Sequence, residues 1–199
     1  MAQLDTPKIL ELGDSYHQLA SLFEEKLAGQ FDIKTYAKGE VLLQQGETQQ
    51  AGFLILSGVL GALHASADGG QKCKEFYFKD EFALLYGNWL THSPALYQLK
   101  VIRKAILIKV PLALLESTDW QPIKQQLITQ QLLFKEAKEA FLLLNTPEQR
   151  YQYLLDHKPH WLETLSLNEV AMYLGVSAIS LSRIRRRLNL TKSFSRQLT

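Results

Sequence analysis

Residues Leu165 to Leu188 read LSLNEVAMYLGVSAISLSRIRRRL and contain two helix starts separated by one helix stop. Ser166 with Glu169 three positions later forms a capping box, and Gly175 tolerates the left-handed conformation that ends many helices. Ser177 is the predicted N-cap of a second helix that runs to about Leu188. Two short helices joined by a glycine-containing turn of about three or four residues are typical of a helix-turn-helix.

The second helix has an apolar face and an opposite face that carries arginine. Each residue advances about 100° around a helix, so Leu181, Ile184 and Leu188 are predicted to point into the domain. Ile179, Ser182, Arg183 and Arg186 lie opposite and are predicted to face a DNA groove, with Ser180, Arg185 and Arg187 on the flanks near phosphates. Arginine can read guanine O6 and N7, serine can make a small polar contact, and isoleucine can pack on a thymine methyl group. The predicted DNA-binding residues are Ser177, Ile179, Ser180, Ser182, Arg183, Arg185, Arg186 and Arg187.

The basic residues are concentrated in the last quarter of the chain. Residues 150–199 hold eight basic and three acidic side chains, whereas residues 1–149 hold 14 basic and 17 acidic ones. From Arg183 onward there are six basic residues and no acidic one. Terminal basic clusters are often merely solvated, but a basic region on an otherwise mildly acidic chain indicates a polyanion partner. With the arginine face of the second helix, this pattern favours double-stranded DNA.

The middle of the chain is rich in short strands. Seven strand-like runs lie between Phe31 and about Pro111, and turns containing glycine separate them, including the strong hairpin signal Asp68-Gly69-Gly70. They predict six to eight strands that close on themselves as a small barrel, roll or sandwich. A helix is predicted before them, from Ser15 to Leu27. The strand-like runs are FDIKTY, KGEVLLQ, GFLILSG, VLGALHA, KCKEFYF, YQLKVI and AILIKV.

A long helix follows Pro122 and carries two apolar sets. The first set recurs at alternating steps of four and three residues, a heptad pattern with one polar break at Gln130. This set is predicted to be a dimer seam and comprises Ile123, Leu127, Phe134, Ala137, Phe141 and Leu144. The second set lies beside it and comprises Ile128, Leu132, Leu133, Ala140 and Leu143. Two apolar sets favour two partners, the β region and a twin helix; the alternative is a one-sided core helix with surplus leucine.

The long helix is predicted to end near Asn145, where a new helix start appears. Thr146 can act as N-cap, Pro147 takes the first helical position, and Gln149 lies three residues after the cap. We therefore place a hinge at residues 144–147. Three parts result: residues 1–121 form the β domain with its N-terminal helix, residues 122–145 the long helix, and residues 146–199 the helix-turn-helix domain.

Together these parts resemble the Crp–Fnr transcription regulators over nearly the whole chain. The most similar phrases are KGEVLLQQGE (Lys38 to Glu47), FLILSGVLGAL (Phe53 to Leu63), the Asp68-Gly69 turn and LSRIRRRL (Leu181 to Leu188). The resemblance implies an α+β architecture with a β jelly-roll (double-stranded β-helix) sensor domain, a long dimerisation helix and a C-terminal helix-turn-helix domain. Family members usually add a β wing after the recognition helix. Only 11 residues follow Leu188, so we expect a short or absent wing.

The recognition helix departs from the family pattern. Members commonly carry an Arg-Glu pair near its start and an arginine four residues after the glutamate. Ala178 and Ile179 stand at the positions of the pair, and Arg183 retains the later arginine. We therefore expect an operator sequence that differs from those the family is best known for.

The effector pocket is expected to be degenerate. By the resemblance, Gly-Glu and Arg-Ser pairs should hold a cyclic nucleotide, but no lysine or arginine lies between Glu81 and Lys100 in this chain. A buried phosphate without a cationic partner is costly, so we do not expect cyclic AMP or cyclic GMP to bind. The segment is either filled by its own side chains or suited to an apolar ligand. Its pocket residues are Leu84, Leu85, Tyr86, Trp89, Ala95 and Leu96.

No cofactor, metal site or membrane span is expected. The single cysteine, Cys73, cannot form an internal disulfide or hold an iron–sulfur cluster, which fits a reducing compartment. Lone histidines are weak candidates for haem or zinc ligands. The two stretches without charged residues, 48–67 and 82–99, are interrupted by glycine and polar residues and lack the continuous apolar pattern of a membrane span. The usual nucleophile-elbow and phosphate-loop motifs are missing, so we predict no enzyme and assign no catalytic residue.

The sequence thus predicts a homodimeric, sequence-specific DNA-binding transcription regulator of the Crp–Fnr type in the cytoplasm. Its expected partners are double-stranded DNA and a second copy of the chain, with RNA polymerase as a further candidate and no membrane. The effector is unknown. The alternative is an effector-binding or protein-interaction module whose degenerate tail domain no longer recognises DNA, an interpretation that the missing Arg-Glu pair and short wing motivate.

Overall fold

A computed structural model describes residues 31–66 and 70–188 of the 199-residue chain. The expected N-terminal helix, the Asp68-Gly69 turn and the region of the expected wing lie outside the described residues. The chain packs as two compact units that divide between Lys138 and Glu139. This division falls inside the long helix, before the boundary at 145/146 that we expected from the sequence.

The first unit is built on an antiparallel sheet. Its described strands are β1 (Ile33–Tyr36), β2 (Val41–Leu43), β3 (Ala51–Ala65), β4 (Gln71–Tyr77), β5 (Phe82–Ala83) and β6 (Gln98–Pro111). Strand β6 pairs with β1, β2 and β3, while β3 also pairs with β4 and β5. The two long strands β3 and β6 therefore organise the whole sheet.

Strands β3 and β6 are each continuous, whereas the sequence predicted two separate strands in each region. In β3 the register with β6 shifts on both sides of Gly58, whose φ is +93°. A Cβ at this position would lie only 2.3 Å from the carbonyl oxygen of Lys104. Glycine therefore allows a bulge at which the strand bends and continues, and the predicted break between GFLILSG and VLGALHA is wrong.

Strand β3 buries side chains on both of its faces. Successive side chains of a strand point to opposite sides, and Phe53 and Ile55 belong to one apolar cluster whereas Leu54 belongs to another. A sheet covered on both sides fits the predicted roll. After β5 come α1 (Tyr86–Thr91), β6, α2 (Leu112–Leu115), a 3₁₀ turn (Thr118–Trp120) and the long helix α3 (Gln121–Leu144).

Helix α3 packs part of the predicted dimer seam against its own unit. Ile123 and Leu127 are buried in the same apolar cluster as Leu54 and Trp89. These two residues are already covered within one protomer, so their assignment to a dimer seam is wrong. An amphipathic pattern shows which residues need cover but does not identify the partner that supplies it.

The second unit contains the end of α3 followed by short helices. These are α4 (Pro147–His157), α5 (Pro159–Thr164), α6 (Leu167–Leu174) and α7 (Ala178–Arg187). Thr146 and Ser166 accept hydrogen bonds from the backbone N–H groups of Gln149 and Glu169, and both predicted capping boxes are confirmed. In the part of the chain that the structure describes, none of the helices combines the length and apolar character needed to cross a membrane.

Candidate nucleic-acid interface

A tight turn connects α6 to α7. Gly175 ends α6 with a φ of +71°, and the N–H of Val176 donates to the carbonyl of Ala171 at 3.0 Å. Ser177 then starts α7, because its Oγ accepts a hydrogen bond from the N–H of Ser180 at 3.1 Å. The helix stop and the second N-cap predicted from the sequence are both confirmed. They join α6 and α7 through a short glycine-containing turn, the local pattern expected of a helix-turn-helix.

Helix α7 buries one face and exposes the other. Leu181 and Ile184 are buried, as the helical spacing predicted. The side chain of Ile179, by contrast, is 68% exposed. The polar residues that share its side of the helix are exposed too: Ser180, Ser182, Arg183, Arg186 and Arg187. The outer face of α7 therefore combines apolar, hydroxyl and guanidinium groups, the mixture that reads base edges and phosphates.

Two of the flanking arginines have partners inside the second unit. Arg187 forms an ion pair with Glu148, with 3.4 Å between Nη2 and Oε2. Arg185 is half-buried, and its side chain hydrogen-bonds Tyr151. Burial raises the pKa of the Tyr151 phenol, and the neighbouring Arg185 charge opposes that shift. A phosphate contact by Arg187 would compete with its ion pair to Glu148.

A groove of about 460 Å³ lies between the start of α4 and α7. Arg183 and Arg187 line one part of it, and Thr146 and Glu148 line another. Glu148 was missed in the sequence because an acidic residue in the first turn of a helix is usually explained by the helix dipole. No sequence pattern near Glu148 indicates that it contacts Arg187, which lies 39 positions later. The groove places both signs of charge beside the exposed face of α7.

The segment expected to form an effector pocket contributes mainly to the core. Leu84, Leu85, Tyr86, Trp89 and Ala95 are buried, whereas Leu96 is 53% exposed. The polar groups of the segment have partners: the N–H of Leu85 donates to Gln49 Oε1 at 3.2 Å, and Trp89 Nε1 donates to Glu116 Oε1 at 3.1 Å. Burial also raises the pKa of the Tyr86 phenol. Of the two alternatives left open by the sequence, this packing favours filling by the chain's own side chains.

The exposed side of α3 carries the three leucines of the second apolar set, whereas Ile128 of that set packs partly against the core of the first unit. Leu132 and Leu143 are 60% and 73% exposed, and Leu133 is exposed as well. Of the remaining predicted seam residues, Ala137 and Phe141 are buried, Phe134 is half-buried and Leu144 is exposed. Phe141 packs on Tyr153, with ring centroids 5.3 Å apart. A partner helix would therefore meet chiefly the second set.

His64, one of the lone histidines of the chain, has contacts within its own unit. His64 Nδ1 lies 3.0 Å from the carbonyl oxygen of Leu96, and its ring packs edge to face on Tyr97. Over residues 31–66 and 70–188, no three His, Cys, Asp or Glu side chains are grouped so that they could hold a metal ion.

Several solved structures resemble this chain. No protein-family model and no curated protein sequence matches it. FixK2 of Bradyrhizobium japonicum has a TM-score of 0.67 at 17% identity, over 80% of this chain and 85% of that one. The c-di-GMP-responsive global regulator CLP of Xanthomonas campestris has a TM-score of 0.61 at 18% sequence identity, and the match covers 86% of this chain and 92% of that one. A CRP/FNR-family transcriptional regulator of Thermus thermophilus has a TM-score of 0.63 at 16% sequence identity, and the match covers 81% of this chain and 87% of that one.

The chain has the Crp–Fnr fold. The predicted α+β architecture, with its β roll followed by helices, is thereby confirmed. The Xanthomonas protein is a global regulator and the Thermus protein a transcriptional regulator. At these low identities the likeness establishes the fold, and the site must be argued from the residues of this chain.

In this chain the Crp–Fnr fold also holds a buried charge cluster. Glu75 of β4 is 3% exposed, and its Oε2 lies 2.9 Å from Lys138 Nζ and 3.4 Å from Lys135 Nζ. Lys138 also donates to the backbone carbonyl of Lys74. Burial, aided by the Glu75 charge, raises the pKa of the neighbouring Cys73 thiol. No local signal could reveal the cluster, because Glu75 and Lys138 are 63 positions apart.

Proposed function

We propose that this protein is a homodimeric, sequence-specific DNA-binding transcription regulator of the Crp–Fnr type. The observation that carries the proposal is the outer face of α7, which exposes Ile179 and Arg183 beside other polar residues while Leu181 and Ile184 anchor the helix. An exposed isoleucine flanked by arginines on the second helix of a helix-turn-helix is suited to a major groove.

Each exposed group of α7 has a proposed role. Arg183 is the residue proposed to contact guanine O6 and N7, and Ile179 is proposed to pack on a thymine methyl group. Ser182 and Arg186 lie on the same face and complete the base-reading surface. Ser177, Ser180, Arg185 and Arg187 are proposed to contact backbone phosphates, which position the protein without reading sequence. Arg187 does so by exchanging Glu148 for a phosphate.

The proposed dimer forms through the exposed side of α3. Exposed leucines on a long helix are suited to a second helix of the same kind, and here they are Leu132, Leu133 and Leu143. Two recognition helices related by a twofold axis enter successive major grooves when half-site centres are about 10 base pairs apart. We therefore propose a palindromic operator with that spacing, and RNA polymerase as a further partner at the promoter.

We also propose that the segment from Glu81 to Lys100 does not bind a cyclic nucleotide. It has no lysine or arginine between its ends. Its Leu84 and Leu85 side chains are fully buried, and the Leu85 N–H is already bonded to Gln49. A cyclic phosphate would have to displace apolar side chains and would gain no cationic partner.

Selection of binding sites from a random duplex pool tests the proposed function. The parent should enrich one palindromic motif, and Arg183→Ala should lose preference at one base pair per half-site, a cost of about 1–3 kcal/mol. Arg103→Ala, which changes an arginine of β6 in the first unit, is the matched control and should enrich the parent motif. If the parent enriches no sequence over the starting pool, the proposal fails and an interaction module without DNA recognition is favoured.

A further inference from the structure

Arg150 connects the ends of two helices within the second unit. It lies in the first turn of α4, and its Nε donates to the carbonyl of Asn145 at 3.0 Å, just after α3 ends. Its Nη2 donates to the carbonyl of Leu142 in the last turn of α3. Its Nη1 donates to the carbonyl of Leu174, the last residue of α6, at 2.8 Å. One guanidinium thus bonds three backbone carbonyls from two helix ends.

The electrostatics of helix ends explain why a cation is needed there. The last carbonyls of a helix have no partner within it and carry the negative end of its dipole. Where α3 and α6 both end near one point, those partial charges repel each other unless a cation lies between them. Asn145 supports the arrangement, because its side-chain Nδ2 donates to the carbonyl of Phe141 at 3.1 Å.

Arginine satisfies this geometry in a way that lysine does not. A guanidinium has five donors in a rigid planar fork, so it can bond carbonyls that lie in different directions at once. The ammonium of lysine keeps the charge but presents its donors from one point. The bond to Leu174 also lies directly before Gly175, the residue that sets the turn into α7.

We infer that Arg150 is a positioning residue that fixes the recognition helix α7 relative to the last turn of α3. If the twin copies of α3 form the dimer, Arg150 then sets the distance and phase between the two recognition helices. It does so without touching DNA. This inference rests on the proposed function for its effect on operators, whereas the local restraint can be measured without DNA.

The operator test varies half-site spacing. Operators selected with the parent are rebuilt with two base pairs added or removed, which turns one half-site by about 70° relative to the other. The parent should lose at least about 100-fold in affinity at the altered spacings, and Arg150→Lys should lose less than about tenfold while preferring the same half-site sequence. Arg103→Lys is the matched control and should behave as the parent. Equal losses for Arg150→Lys and the parent would overturn the inference, since a purely structural role weakens all spacings alike.

Hydrogen exchange tests the same restraint independently of DNA. In full-length Arg150→Lys, exchange should rise at least about tenfold at residues 142–146 and 174–177, while the buried amides of Leu181 and Ile184 stay protected. Unchanged exchange, or a uniform rise through the whole unit, would contradict a positioning role. Arg150→Met removes the charge and every hydrogen-bond donor of this side chain, and it should raise exchange in the same two segments at least as much as Arg150→Lys does. If the parent enriches no operator, the proposed function fails and the exchange measurement still decides the role of Arg150.

Discussion

Glu75 shows how strongly one buried charge can depend on its neighbours. Its carboxylate lies between Lys135 and Lys138 and is almost completely removed from water. Breaking a buried ion pair by removing one partner usually costs more than the pair itself contributes, because the remaining charge stays buried and uncompensated. In this cluster two lysines would lose their partner at once.

We therefore expect Glu75→Ala to lower the free energy of unfolding by about 3 kcal/mol, measured by urea denaturation. The control is Asp32→Ala, which removes an exposed carboxylate 3.8 Å from Lys34 and should cost less than about 1 kcal/mol. Similar losses for the two variants would show that the buried cluster contributes no more than a surface ion pair does.

Side-chain orientation on α7 could be predicted from sequence, but several contacts of the same unit could not. Burial of Leu181 and Ile184 follows from the periodicity of a single helix. The partners of Arg150 and Arg187 depend on where other helices end, and the residues they contact are up to 39 positions away. Spacing along one element contains no information on such contacts.

Among the elements, α4 and α6 were predictable because their starts are set locally, whereas α5, which has no side-chain cap, was not predicted. A capping box involves residues only three positions apart, and both predicted boxes are present. The strands were harder to predict. Glycine at 58 fits either a turn or a bulge, and only the approach of the Lys104 carbonyl from β6 selects the bulge.

Helix α3 shows a second limit of sequence patterns. Both of its apolar sets were recognised, but the set assigned to the partner helix is the one that packs partly on the β roll. A heptad pattern occurs both in helices that pack on a domain of their own chain and in helices that pair with a twin helix. The assignment depended on which face the roll covers, which is a tertiary property.

The exposed side of α3 leads to a prediction about the oligomer. Leu132→Glu combined with Leu143→Glu places charges where the proposed partner helix packs, so we expect sedimentation as a monomer at micromolar concentration. Leu96→Glu alters a similarly exposed leucine elsewhere in the first unit and should leave the sedimentation of the parent unchanged. A dimer that persists in the double variant would place the interface on another surface.

For the molecule as a whole, the uneven charge distribution governs how binding depends on salt. The chain carries only +2 overall, with the basic excess concentrated from Arg150 onward. Each phosphate contact releases counterions, so the logarithm of affinity falls with the logarithm of salt concentration in proportion to the number of contacts. That slope can therefore report which arginines reach the backbone.

We expect Arg187→Ala to weaken binding to all duplex sequences and to reduce the salt slope by about 1 per protomer. Fluorescence anisotropy across a salt series measures this directly. Glu148→Gln, which leaves Arg187 without its acidic partner, should move affinity in the opposite direction. A variant of Arg187 with the slope of the parent would show that Glu148 keeps this arginine from the duplex.

The half-buried thiol of Cys73 in β4 has a practical consequence for measuring distances in this molecule. Cys73 is the only cysteine of the chain, and its raised pKa leaves little thiolate to react near neutral pH. A cysteine introduced at the exposed position 182 would therefore accept a maleimide spin label or fluorophore selectively, with the native thiol left in place. The separation of the two labels in an assembled pair of chains could then be compared directly with the pitch of B-form DNA.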